Sequence, residues 1–356
     1  MDPDRPHPGL LAGDPTAVGP VHLTGRLGSG GMSTVYVGEL PGHGEVAVKV
    51  IAPHLSGDDE YRRRLRREVD ALRRVDSPRV TPLVDADIES DEPWLAMGYL
   101  DGPTLRAQVD ENGPLPAPRA AEVADELAEG LGALHLVGVV HRDLTPSNVI
   151  LTEQGAVIVD LGIARLGGGV PLTRTGTRLG TPAWMAPEQL TGAAVGPAAD
   201  VFAWGGVVTF AATGRAPFGE GDPAAMGYRI VHTAPELAGV ADDLTPIVAA
   251  ALAPEPATRP TASTLRRLLA GEIAPTHLAP GPTRLESPTE VAPVTAAPVS
   301  PPALTTVARN RATSTPSLPT PPGRRRAPYW PWAVLAAVVV VSLLLVVALM
   351  ASGGGR

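Results

Sequence analysis

The eight residues His141-Arg142-Asp143-Leu144-Thr145-Pro146-Ser147-Asn148 restrict what this chain can fold into more than any other stretch. They follow a helix-like apolar stretch, Val123 to Val140, and precede Val149-Ile150-Leu151, which reads as a strand. A second apolar strand, Val157-Ile158-Val159, runs into Asp160-Leu161-Gly162, with Asp160 twelve residues beyond Asn148. One polar loop therefore carries Asp143 and Asn148, and the next opens with Asp160. Two carboxylates and an amide on adjacent loops make a hard-oxygen site suited to Mg2+.

A cation to match them lies far upstream. Lys49 is the single lysine of the chain; the other 28 of its 29 Lys and Arg residues are arginines. It closes the alternating run Val46-Ala47-Val48-Lys49, a strand by pattern. A compact ammonium on a flexible stem acts on phosphate oxygens as a point charge, which a planar guanidinium does not reproduce. Before it comes a glycine-rich turn, Leu27-Gly28-Ser29-Gly30-Gly31-Met32-Ser33-Thr34-Val35, followed by Tyr36-Val37. Glycines there let backbone amides approach phosphate without Cβ interference. The arrangement is not a P-loop, which needs Gly-Lys-Ser/Thr opening a helix. Next, Tyr61, Leu65, Val69 and Leu72 recur at helical spacing, and Glu68 borders that apolar face, nineteen residues after Lys49. From there a carboxylate can swing onto the lysine, or remain an ordinary solvated charge.

Further along stand Gly180-Thr181-Pro182, Ala186-Pro187-Glu188, Asp200-Val201-Phe202-Ala203-Trp204-Gly205 and Arg259. With these in order, residues 21–271 resemble the protein kinase family, closest in character to bacterial, eukaryotic-like Ser/Thr kinases with one C-terminal membrane helix. The resemblance implies an α+β, bilobal fold, with a β-rich N-lobe carrying one helix (about 21–98) and a mainly helical C-lobe (about 99–271). ATP would lie between them. Leu27 to Val35 would cover its phosphates, and Lys49 would contact the α- and β-phosphates and pair with Glu68. Asp143 would orient the acceptor hydroxyl and take its proton. Asn148 and Asp160 would hold Mg2+, with Mn2+ as a substitute. Met97 would back the adenine pocket, ahead of a hinge, Gly98-Tyr99-Leu100, whose backbone would bond adenine. Glu188 and Arg259 match a structural ion pair, and Asp200 a structural acidic position. His141, Leu161 and Leu72 match an apolar column between the lobes. Arg142, directly before Asp143, suggests control by phosphate on the activation segment, with Thr173, Thr175 and Thr177 as the acceptors.

Composition adds partners and place. The net charge is −8; residues 272–356 hold seven Arg and three Glu, leaving −12 on residues 1–271. An acidic globular part gives no electrostatic reason to expect nucleic acid. With no cysteine there are no disulfides, thiolate metal sites or Cys nucleophile. Residues 1–20, rich in Pro and Gly, read as a flexible lead-in, without the apolar run of a cleavable signal peptide. Residues 272–328 contain 13 Pro and no aromatic side chain, the composition of a disordered linker. Ala333 to Ala351 is apolar save Ser342, with Trp330 and Trp332 at its edge, so residues 329–351 are expected to span a membrane. Arg324-Arg325-Arg326 before the span would keep residues 1–328 on the cytoplasmic side and leave 352–356 outside. Expected partners are protein substrates, membrane lipid around the span, and a second copy through the N-lobe or the membrane helix.

Four positions depart from the family pattern: Ser33 for the third glycine, Leu161 for the commoner Phe, Gly98 for an acidic hinge residue, and Thr145 for a lysine two residues after the catalytic Asp. Threonine cannot supply that lysine's charge to the γ-phosphate, which keeps a second reading open: a pseudokinase acting as a membrane-bound nucleotide-binding scaffold. A third, phosphoryl transfer to a small molecule, is opposed by the Ala186-Pro187-Glu188 segment and long activation loop, which build a platform for a protein substrate.

Overall fold

The computed structural model describes residues 9–56, 59–160 and 182–274. The chain opens with a six-stranded antiparallel sheet in the order β1-β2-β3-β4-β6-β5. Its strands are β1 (Ala17–Val18), β2 (Val21–Ser29), β3 (Ser33–Leu40), β4 (Gly44–Ile51), β5 (Leu83–Asp87) and β6 (Trp94–Gly98). Val21, Leu23, Tyr36, Val46, Val48, Trp94 and Ala96 close one apolar cluster of the sheet. A single turn, α1 (Pro53–Ser56), and α2 (Asp59–Leu72) interrupt the strands. Helix α2 buries Tyr61, Leu65, Val69 and Leu72, the face its spacing predicts.

Part of the expected lead-in belongs to the sheet. Val18 pairs with Val21, and Asp14 accepts hydrogen bonds from Arg26 Nη1 and Tyr36 Oη, both at 3.1 Å. The boundary drawn at residue 20 therefore falls inside the first lobe. A Pro/Gly-rich composition hid one carboxylate that ties the strand entry to β2 and β3.

The second lobe is helical: α3 (Leu105–Asn112), α4 (Ala117–Leu136), α5 (Pro187–Thr191), α6 (Pro197–Thr213), α7 (Pro223–His232), α8 (Thr245–Ala251) and α9 (Ala262–Leu269). A hairpin of β7 (Val149–Thr152) and β8 (Gly155–Ile158) lies between α4 and α5. Helix α6 is its axis. Residues Ala199 to Ala211 are all buried, so this helix is enclosed around its whole circumference and, apart from Asp200 and Thr209, is built of apolar and small residues. Small residues permit the approach: a Cβ at Gly205 would stand 2.9 Å from Leu252 Cγ. Trp204, fully buried, donates its indole N–H to Ala124 O of α4 at 2.9 Å, so its polar atom enters the core satisfied.

The expected division into a sheet lobe and a helical lobe holds. Leu161, the threonines at 173, 175 and 177, the linker from 275 to 328, the membrane span 329–351 and the tail lie outside the described residues. Among the described residues no helix is long and apolar enough to cross a membrane.

Candidate active site

Strand register builds the upper wall. Gly28 stands opposite Val35, and Val35 opposite Lys49, so the three form one row across β2, β3 and β4. Directly opposed residues of an antiparallel pair face the same side. Glycine at 28 leaves its end of the row bare, and among the described residues, chain neighbours aside, no atom lies within 4 Å of where a Cβ at Gly28 or Gly31 would sit. The turn closes through Gly30 N–H donating to Ser33 O at 2.9 Å, with Leu27 and Met32 exposed around it. Backbone amides here have the clearance that a phosphate chain needs.

The lower wall is the hairpin and the loop before it. Val159 N–H donates to Asn148 O at 3.0 Å, which sets the strand end leading into Asp160 beside the loop carrying Asp143. Asn148 Nδ2 donates to Asp143 O at 2.8 Å, leaving its Oδ1 as the ligating end of the amide. His141 is fully buried; its Nδ1 accepts from Asp143 N–H at 3.3 Å and its Nε2–H donates to Val159 O at 3.2 Å. Asp200, 1% exposed, accepts from the backbone N–H groups of His141 and Arg142 and from His135 Nε2–H, all at 2.8 Å. A buried carboxylate needs this saturation. His135 carries no motif and was not singled out from the sequence; only the fold brings it to Asp200.

The walls meet at an ion pair. Lys49 Nζ donates to Asp160 Oδ1, 111 positions away in sequence, and Lys49 is 8% exposed. Among the described residues, the two non-glycine residues with positive φ are Arg142 (63°) and Asp160 (53°). Such backbone costs of order 1–3 kcal/mol and collects at functional sites. Both residues hold charged contacts between the lobes.

The second of these corrects an expectation. Glu68 accepts from Arg142 Nη1 at 3.0 Å, in place of the anticipated Lys49–Glu68 pair. Lysine is drawn to the carboxylate below it, and the arginine preceding Asp143 reaches up to α2. Burial pushes the Glu68 carboxyl up to about 7 against the opposing pull of Arg142.

At the rear, Met97 pairs with Ala47 and Leu83 across the sheet and is half-buried. Gly98 N–H donates to Pro82 O at 3.0 Å, and Gly98 O accepts from Thr81 Oγ1 at 3.1 Å. Tyr99 N–H points back to Glu45 O at 3.4 Å. Below, Arg259 donates Nη1 and Nη2 to the two Glu188 oxygens at 2.7 and 2.9 Å, with its guanidinium 5.0 Å from the Phe202 ring centre. Neither belongs to the cleft; they brace α5 against α6.

Among the described residues no cluster of three or more His, Asp or Glu side chains is assembled for a metal. Mg2+ does not need one, since it typically takes one or two protein oxygens and completes its shell with water and phosphate. Asn148 Oδ1 and Asp160 fit that requirement.

The protein kinase domain family matches residues 21–268. The chain is 45% identical over 256 residues to the probable serine/threonine-protein kinase PkwA of Thermomonospora curvata, covering 72% of this chain and 34% of PkwA. It is 38% identical over 265 residues to the serine/threonine-protein kinase AfsK of Streptomyces coelicolor, covering 74% and 33%. The chain thus spans about a third of the length of these curated relatives. The crystal structure of the Mycobacterium tuberculosis PknI kinase domain superposes with a TM-score of 0.56 at 28% identity, covering 74% of this chain and 98% of that one.

Proposed function

Since the chain belongs to the protein kinase family, we propose that it transfers the γ-phosphoryl group of ATP to serine and threonine hydroxyls of proteins, its own activation segment included. The observation that carries this reading is the Lys49–Asp160 ion pair. It draws the glycine-rich turn of one lobe and the Asp143–Asn148 loop of the other onto a single cleft.

In that cleft the amides of Leu27 to Val35 cover the phosphates, and Lys49 orients the α- and β-phosphates as a point charge. Asn148 and Asp160 would hold Mg2+, which when bound would neutralise charge on the phosphate oxygens. Asp143 accepts a hydrogen bond from the acceptor hydroxyl, aligns it in line and takes its proton as the bond to the γ-phosphorus forms and the bond from that phosphorus to the β–γ bridging oxygen breaks, with ADP as the leaving group. Arg142 lies ready for a phosphate on Thr173, Thr175 or Thr177, which would compete with Glu68 for the guanidinium.

The test is incubation of the full chain with labelled ATP and Mg2+ or Mn2+, with sites mapped by mass spectrometry. Incorporation should fall by about 100-fold or more in Asp143→Asn. Thr145 favours the scaffold reading, because no lysine steadies the γ-phosphate from that position. Thermal stabilisation by nucleotide without transfer above the Asp143→Asn control would establish the scaffold instead.

We further propose that residues 329–351 anchor the protein in a membrane with residues 1–328 on the cytoplasmic side. The apolar run and the arginines before it support this. Association of two copies through the N-lobe or this helix belongs to the same proposal.

A further inference from the structure

We propose that Gln189 is a positioning residue that locks the loop carrying Asp143 to the platform on which an acceptor protein rests; this rests on the phosphoryl transfer proposed above. Gln189 is the third residue of α5, half-buried, and uses both ends of its amide. Its Oε1 accepts from Ala186 N–H at 2.9 Å, satisfying a donor at the helix start. Its Nε2 donates to Arg142 O at 2.9 Å, 47 positions away.

That carbonyl belongs to the peptide group whose nitrogen is Asp143 N. The peptide is planar, so holding its C=O and its N–H together fixes the orientation in which the chain enters Asp143. The N–H is held by His141 Nδ1 at 3.3 Å, and the C=O by Gln189. Such anchoring matters here because Arg142 has φ 63°, a conformation that persists only when its surroundings over-determine it. Asp200 secures the Arg142 N–H at 2.8 Å from α6. Gln189 secures the other side of the residue from the stretch that begins with the turn Pro182–Trp184 and continues as α5. An acceptor seated on that stretch is thereby registered against Asp143 through one side chain.

Two variants separate the two ends of the amide. Gln189→Glu keeps the acceptor for Ala186 N–H, at a helix position where an acid is favourable. At pH 8 the introduced carboxylate is ionised and cannot donate to Arg142 O. Gln189→Met loses both contacts. In the full chain, kcat for a protein acceptor should fall about tenfold in both variants, with KM for ATP unchanged. The thermal midpoint should fall less in Gln189→Glu, which loses one contact, than in Gln189→Met, which loses both. Wild-type kcat in Gln189→Glu would overturn the inference, as would kcat that follows the thermal midpoint across the series, which is the mark of a merely structural role. Absence of transfer in the unaltered chain would instead remove the proposed function beneath it, so the two failures are distinguishable.

Discussion

Lys49 gains its meaning from burial and from what it faces. An ammonium 8% exposed needs a counter-charge, and Asp160 supplies one at the point where phosphate is proposed to sit. Lys49→Arg retains the charge but not the point geometry, so kcat should drop by about 100-fold while the fold persists; labelled-phosphate incorporation and a thermal melt check the two halves. Glu68 offers a second test through pH. Burial raises its pKa from 4.5 to about 7 in the folded protein, so the native state binds a proton that the unfolded chain has released. This group's stabilising contribution is therefore complete below pH 4.5 and lost as pH rises through about 7. The melting temperature of the wild type relative to Glu68→Gln should decline across that window; a constant difference would exclude the assignment. Glu68 borders the apolar face of α2, which by itself fits an ordinary solvated charge equally; its place in the cleft was legible only through the resemblance to the kinase family. Its partner was not, because the choice between Lys49 and Arg142 depends on how far each cation reaches from elements that only folding brings together.

Elements were readable where their chemistry is periodic and obscure where it is not. The strands around Val35 and Lys49 and the apolar stripe of α2 follow from alternation and helical spacing. Glu188 and Arg259 were legible as members of ordered motifs, and the fold closes them into a bidentate pair with side chains 6% and 0% exposed. Glu188→Gln would leave Arg259 buried with its charge uncompensated. That should cost about 3–5 kcal/mol and lower the melting temperature by roughly 10 °C in a lobe of this size, read by calorimetry. Gln189, directly after Glu188, and His135, six residues before His141, carry no such signal. Their residue types are common and their partners, Arg142 O and Asp200, are remote in sequence.

Across the molecule, charge and apolarity are segregated along the chain. Residues 1–271 carry a net −12, and a Pro-rich stretch separates them from a basic cluster and an apolar run. Deleting residues 329–356 should move the protein from the membrane to the soluble fraction and leave labelled-phosphate incorporation into an added protein acceptor within about twofold; retention in the membrane would remove the anchor proposal. The sequence by itself determined the strand and helix elements and the chemical inventory of the cleft, and its resemblance to the protein kinase family implied the two-lobed architecture. Elements and inventory depend on local periodicity and on residue types whose donors, acceptors and charges are intrinsic. Tertiary structure alone decided which charges meet: Lys49 with Asp160, Glu68 with Arg142, and both peptide faces of Arg142 held by Asp200 and Gln189. Coulombic and hydrogen-bond partners are selected by distances of a few ångströms, and such distances between residues 47 to 111 positions apart exist only after the lobes have packed.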